Sequence, residues 1–373
     1  MLEALKYQHH MYREILESPQ GVRNTLAGRV RADGIDLSEA RLDPDRLRHF
    51  THVRILGSGT SRHAGLAGKI MLQELAGVHV DVDYASEFAY ANPASSRHEL
   101  TILITQSGET ADTLAAQAIA AGVGSHTLAM CNVPDATLAR RAESVLYTRA
   151  GTEVAIASTK AFTAQMALLF AFAVYLGEVR GRLSADAARL HANELLAIAD
   201  KIDRTLTCNS ACEQIAEKYF IAPDFLFLGR GVHFPVALDG ALKLKETSYI
   251  HAEGYPSGEL KHGPYALIDS TMPIVFLAAY DRDDEGSMTR YRLGLQNMRD
   301  IRERMGRVIA IAVEGCDEVA EITNDTIFIP PATELLLPLL EIVPLQLIAY
   351  HIALKRGVDV DNPRNLVKSV TVE

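Results

Sequence analysis

Twice along the chain a short β-rich run enters a Gly-x-Gly turn and continues as a helix. The first is HVRILGSGTSRHAG at 52–65 and the second is DFLFLGRGVHFPVALDGALKLKE at 224–246. Further apolar strand runs follow each turn: VHVDVDYA and LTILITQS in the first half, MPIVFLAA and RVIAIAVEG in the second. Helix-length segments separate them. Strands alternating with helices imply a parallel sheet covered on both faces, and the recurrence implies that the unit is duplicated. The expected fold class is therefore α/β, with two tandem domains, each a parallel sheet flanked by helices in a Rossmann-like or flavodoxin-like three-layer sandwich.

The expected organisation has an N-terminal helical arm over 1–45 and a first α/β domain over 46–185. A helical connection covers 186–218, where HANELLAIADKIDRTL has helical period. A second α/β domain follows over 219–358, and then a C-terminal tail over 359–373. The tail is polar and holds Pro363, so a disordered end is the default. It nevertheless closes on an alternating V-S-V-T-V and carries Arg364 and Lys368, which suits docking.

With 373 residues, 48% of them apolar and 23% charged, the chain can build real cores. The net charge of −10 argues against a nucleic-acid binder. Cys131, Cys208, Cys212 and Cys316 form no metal framework, because the Cys208/Cys212 pair has no second Cys/His pair near it. No metal and no cofactor are expected. The N-terminus MLEALKYQHH does not read as a signal peptide. The longest apolar stretch, 166–176, has the length of a buried helix rather than of the roughly 20 residues that span a bilayer. The expectation is a cytoplasmic protein without a membrane partner.

Chemistry concentrates in a few places. In ILITQSGETADTL (102–114) a buried strand runs through Thr105, Gln106, Ser107, Gly108 and Thr110 into a helix, with Ser107 expected at the N-cap and Thr110 in the first turn. Free backbone N–H groups, a positive dipole end and three hydroxyls suit a phosphate without any lysine. Taken alone, an ordinary capped helix is the default explanation of the same residues; three hydroxyls within six residues at a strand end weigh the other way. The first Gly turn has Arg62 where a dinucleotide site wants its third glycine, although Asp81 or Asp83 could mimic the ribose-binding acid. Its Thr60-Ser61 pair favours a sugar phosphate instead. IASTKAFTAQ (156–165) opens another helix with Ser158 and Thr159. In the second half Asp239, Lys243 and Glu246 fall at i, i+4 and i+7 on one helix face, with Lys245 pointing elsewhere. On a partly buried face a carboxylate can act as a general base. The loop HAEGYPSGELKHGP (251–264), with His262, is the remaining candidate.

These words, together with CNVPDATL, AGTEVAIASTKAFT, SYIHAEGY, GELKHGP, VPLQLIAYH and DVDNPRNLVKSVTVE, recur in order over essentially the whole chain. The chain resembles the isomerase module of the glutamine–fructose-6-phosphate amidotransferase family, a pair of SIS (sugar isomerase) domains. The resemblance implies binding of fructose 6-phosphate, ring opening, addition of ammonia at C2, and a proton shift from C2 to C1, giving glucosamine 6-phosphate. It assigns phosphate and sugar contacts to Thr60, Ser61, Thr105, Gln106, Ser107 and Thr110, with Ile156, Ser158 and Val367 as further sugar contacts. Glu246 matches the base that moves the proton and Lys243 a nearby catalytic-site lysine. His262 matches a ring-opening residue that reaches in from a second subunit, which implies a homodimer with a shared active site. Lys368 matches the lysine that forms a Schiff base with the open ketose.

Against the family pattern, Ser58 stands for the usual Cys, Thr105 for Ser and Asp239 for Glu. The family's glutaminase domain uses an N-terminal cysteine, whereas Met1 here is followed by Leu2 and the first cysteine is Cys131. The expectation is an aminating isomerase without glutaminase activity of its own, taking free ammonia or ammonia from a separate glutaminase. Two alternatives stand beside it: a glucosamine-6-phosphate deaminase running the reverse reaction, and a non-catalytic SIS sensor of sugar phosphates.

Overall fold

The structure, a computed structural model, describes residues 9–94 and 97–371. The first eight residues of the expected arm, and Val372 and Glu373 of the tail, lie outside them. The chain forms two compact units. Of the described residues, the N-terminal unit takes in Ser18–Glu153, Lys160–Ala199 and those from Val367 onward, and the C-terminal unit those up to Glu17, Val154–Thr159 and Asp200–Leu366.

In the N-terminal unit a small antiparallel hairpin, β1 (Val30–Arg31) and β2 (Gly34–Ile35), precedes the main sheet. That sheet consists of β3 (His52–Gly57), β4 (His79–Tyr84), β5 (Glu99–Ile104), β6 (His126–Cys131) and β7 (Ser144–Tyr147). All pairs are parallel, in the order β4-β3-β5-β6-β7. The C-terminal unit repeats this arrangement with β8 (Asp224–Gly229), β9 (His251–Pro256), β10 (Pro273–Leu277), β11 (Arg307–Val313) and β12 (Asp325–Ile329). Its order is β9-β8-β10-β11-β12, again all parallel. The two sheets thus share the doubly wound 2-1-3-4-5 order, which opens a crevice at the carboxyl ends of the first and third strands.

Every residue of β5, β6 and β10 is buried, which is why these strands read as unbroken apolar runs rather than alternating ones. Leu56, Phe88, Leu103 and Leu138 centre one core, and Leu228, Ile274, Phe276 and Met298 another. Each such side chain contributes roughly 1.5–3 kcal/mol on burial, more than a typical surface ion pair. Two helices, Lys160–Val179 and Glu334–Lys355, are long and apolar enough to cross a membrane by length and composition alone. The sequence reading found only the first, and shortened it. Both are core helices here, with every residue of the second one's most apolar stretch buried.

Edges of the sheet absorb several charged groups. His52 of β3 bridges its two neighbouring strands, with Nδ1 at 2.8 Å from Glu99 and Nε2 at 3.0 Å from Asp81. Asp81, weighed above as a ribose-binding acid, is occupied by that contact. Arg62, in the place of a third glycine, lies over the Tyr84 ring at 3.8 Å.

The duplicated glycines serve close packing. A Cβ on Gly57 would stand 3.1 Å from the Arg62 nitrogen, and one on Gly229 only 2.5 Å from the His233 carbonyl oxygen. The crevice after β8 differs from its counterpart after β3. It is filled by Arg230, His233, Ser257 and Arg290, which leave a void of about 10 Å³, room for no more than a single water. His233 is buried, with Nδ1 at 2.8 Å from Glu341 and Nε2 at 3.5 Å from Glu334, and Arg290 pairs with Glu334. Burial opposes protonation of His233, but the two carboxylates outweigh it and raise its pKa to about 9. Burial likewise opposes ionisation of Glu334, but His233 and Arg290 lower its pKa to about 2.

A raised histidine pKa stabilises the fold fully below its ordinary value of 6.5 and loses that contribution as pH climbs through about 9. A depressed carboxylate pKa contributes above its ordinary value of 4.5 and is lost as pH falls towards about 2. The urea midpoint of the protein is therefore expected to fall from about pH 7 to about pH 10. His233→Gln should be less stable at neutral pH and should lose most of that alkaline dependence, both read from denaturation curves across the range.

Candidate functional site

The hydroxyl-bearing residues singled out above follow the ends of β3 and β5. Beyond β5 the Thr105 amide still donates to the Met130 carbonyl, 3.1 Å, so the strand direction persists for one residue. Gly108 then turns the chain with φ of +72°, where an added Cβ would meet the Ala136 Cβ at 2.4 Å. This turn delays the helix. It begins at Ala111 with Thr110 at the N-cap, not with Ser107 there as the sequence suggested. Residues 105–110 instead curl into a hydroxyl-lined loop. Thr105 Oγ1 and Thr110 Oγ1 stand 3.1 Å apart, the Gly108 amide donates to Thr105 Oγ1, and the Glu109 amide donates to Ser107 Oγ. Glu109 turns outward to accept the Thr137 amide at 2.8 Å, and that hydrogen bond lowers its pKa.

Thr60 and Ser61, from the first turn of the helix Gly59–Ala76, are buried. Ser61 Oγ accepts a hydrogen bond from Gln165 Nε2 at 3.0 Å, which leaves its own proton to donate elsewhere. Gln106 looks into a cavity of about 600 Å³ whose wall includes Asn132, Arg149, Thr152 and Glu153. Asn132 is fixed on both ends of its amide: Oδ1 accepts from the Ala150 amide and Thr148 Oγ1, and Nδ2 donates to the Gly151 carbonyl.

The tail docks in this same unit. Lys368 Nζ lies 2.7 Å from Glu153 Oε2, and the Ala111 amide donates to the Val370 carbonyl at 3.0 Å. Val367, the first tail residue of the N-terminal unit, is exposed. Glu153 was not singled out from the sequence, although it sits inside AGTEVAIASTKAFT; its burial is the signal, and only the fold supplies that. Ile156 and Ser158 belong to the short Val154–Thr159 stretch of the C-terminal unit and are half-buried. The buried Glu14 carboxylate, also not foreseen, accepts the Val154 and Ala155 amides and holds that stretch.

The charged helix face lies in the C-terminal unit, on the helix Phe234–Ser248. Asp239 and Lys243 are wholly buried and Glu246 is about a fifth exposed, with Lys243 Nζ 2.6 Å from Glu246 Oε2. An ammonium out of water needs such a partner. Glu246 opens into a second cavity, of about 520 Å³, that also takes in Lys245, Tyr249 and Arg364. Lys245 thus leaves the buried stripe, as its position implies, yet shares the cavity. Arg364 is clamped by Tyr249, whose ring lies 4.1 Å from the guanidinium and whose Oη accepts the Arg364 amide at 2.7 Å. His262 ends a short 3₁₀ helix, Ser257–His262, and is exposed. Among the described residues it makes no hydrogen bond to Lys243 or Glu246.

Residues 46–175 and 222–356 each match the profile of the SIS domain. Glutamine–fructose-6-phosphate aminotransferase [isomerizing] of Chlorobaculum tepidum is 48% identical over 100% of this chain and 60% of its own length. The enzyme of the same name from Methanosarcina acetivorans is 45% identical over 100% of the chain and 59% of its own length. The chain therefore spans about three-fifths of these curated relatives. The solved C-terminal domain of glucosamine-fructose-6-phosphate aminotransferase from Francisella tularensis is 35% identical, with a TM-score of 0.89, covering 96% of this chain and 99% of that one. A glucosamine-6-phosphate deaminase from Thermotoga maritima, 21% identical with a TM-score of 0.73, shares the fold.

Proposed function

Because the chain belongs to the SIS-domain family, and with it to the C-terminal part of the glutamine–fructose-6-phosphate aminotransferases, we propose that it converts fructose 6-phosphate and ammonia into glucosamine 6-phosphate. The observation that carries this reading is the docking of Lys368 at the wall of the cavity into which Gln106 looks, beside the hydroxyl loop. A primary amine beside a phosphate cradle is what imine formation with a phosphorylated ketose requires.

In this reading Thr105, Ser107 and Thr110, with Thr60 and Ser61, hold the phosphate, and Gln106, Ile156, Ser158 and Val367 line the sugar. His262, supplied by a second copy of the chain, opens the ring. The Lys368 amine attacks C2 and water leaves, giving the imine. Ammonia then adds at C2 and displaces the lysine amine, so that C2 carries the new nitrogen. Glu246, held by Lys243, moves the proton. The C2-to-C1 shift expected above runs the wrong way for amination: turning the C2 imine into the 2-amino aldehyde takes a proton from C1 and places one at C2, and transfer from C2 to C1 belongs to the deaminating reverse. The 2.6 Å contact with the buried Lys243 fixes the carboxylate in place, and a positioned carboxylate is suited to general-base work. We place the reaction in the cytoplasm, in keeping with four free cysteines.

Incubation of the protein with fructose 6-phosphate and ammonium, and separately with glucosamine 6-phosphate, followed by NMR, tests the direction. Net formation of the amino sugar is expected; conversion of glucosamine 6-phosphate alone would make the protein a deaminase, and none in either direction would point to a sensor. Lys368→Ala should abolish turnover while a phosphorus NMR titration shows phosphate binding retained. Unchanged turnover would sink the imine assignment.

Glu246→Gln keeps the shape of the side chain and removes the base. Deuterium exchange from solvent at the migrating position should slow by about 10²–10⁴-fold. Exchange at the normal rate would remove Glu246 from that role.

A further inference from the structure

The lysine of the tail does not hang free beside the cavity. Lys368 Nζ is 2.7 Å from Glu153 Oε2, and the two ends of that contact differ sharply in exposure: the Glu153 side chain is 0% exposed, the lysine 25%. The carboxylate is itself anchored. Its other oxygen accepts the Ala161 amide at 3.1 Å, in the first turn of the 20-residue helix Lys160–Val179, where free N–H groups and the dipole favour negative charge. Two residues beyond the lysine, the Val370 carbonyl accepts the Ala111 amide at the start of the helix that follows the hydroxyl loop. The tail is therefore tied at one point to the cavity wall and at the next to the element that ends the loop.

A lysine amine sits on a flexible four-carbon stem and, unaided, samples many positions. Imine formation needs it in one of them. We propose that Glu153 is the positioning residue of the tail amine, its buried carboxylate holding Lys368 at the wall of the sugar cavity. This rests on the reading of Lys368 as the imine-forming group. Glu153 itself does not react: it orients the ammonium in the resting state and fixes the path along which the tail returns after each turnover.

Glu153→Gln keeps a carbonyl oxygen for the Ala161 amide and removes the charge that holds the lysine, so the fold is retained while the tether is lost. Glu153→Asp keeps the charge on a shorter arm. The full chain is incubated with saturating fructose 6-phosphate and sodium borohydride, which adds hydride to the imine carbon and leaves a stable secondary amine. The rate of labelling at Lys368 is read by peptide mass mapping. In parallel, amide hydrogen exchange of residues 367–371 is followed without sugar.

Glu153→Gln is expected to slow labelling about 100-fold with the affinity for fructose 6-phosphate unchanged. Glu153→Asp should fall between it and the unsubstituted protein, and exchange in the tail should be faster in Glu153→Gln. Labelling of Glu153→Gln at the normal rate overturns the proposal. Absence of label at Lys368 in the unsubstituted protein overturns the imine reading instead. The exchange comparison then decides for Glu153: faster exchange upholds its hold on the tail, and identical exchange overturns it.

Discussion

Parallel strands cannot be joined by tight turns; each must return to the same end of the sheet through a crossover. In the order β4-β3-β5-β6-β7 the chain leaves β3 towards one edge and later re-enters on the other side, so the connections after β3 and β5 diverge. The gap between such connections is where ligands bind in folds of this kind. Thr60, Ser61 and the 105–110 loop follow β3 and β5, the two strands whose connections diverge. The same constraint recurs in the C-terminal unit after β8 and β10, but there Arg230, His233 and Arg290 have filled it. The two sheets share one strand order, and in the C-terminal unit bulky charged side chains occupy the strand ends.

Buried charge is the second organising feature. Lys243 is satisfied by Glu246, Glu153 by Lys368 and a helix N-terminus, and His233 by Glu341 and Glu334. Removing one partner of a pair buried at both ends, such as His233 with Glu341, leaves an uncompensated charge, which typically costs about 3–5 kcal/mol, whereas an exposed pair is worth roughly 0–1 kcal/mol. The surface pairs, such as Arg189 with Asp186, are therefore minor. The buried ones restrict where a lysine or a carboxylate can sit, and such restriction is what an acid–base or nucleophilic group needs before it can act.

Much of this was legible before any coordinates. The strand runs and the duplicated glycine turns follow from residue type and from the residues that break each run, and of the two apolar core helices one was legible in part. The stripe of Asp239, Lys243 and Glu246 was visible from spacing. The start of the helix after β5 was not: Ser107 looks like an N-cap, but Gly108 adopts positive φ and the helix waits for Ala111. Capping preference is local and weak, and a close contact with Ala136, 28 residues on, overrides it.

By itself the sequence determined the alternation of strands and helices, the two copies, and the hydroxyl, lysine and carboxylate residues available for sugar-phosphate chemistry. All of these are properties of near neighbours along the chain, which periodicity and residue type record. The tertiary structure decided how the strand ends of the C-terminal unit are filled, that the polar tail docks, and that Glu153 meets Lys368 across 215 positions of sequence. Those outcomes depend on burial and on contacts between distant segments, and no window of sequence contains both partners.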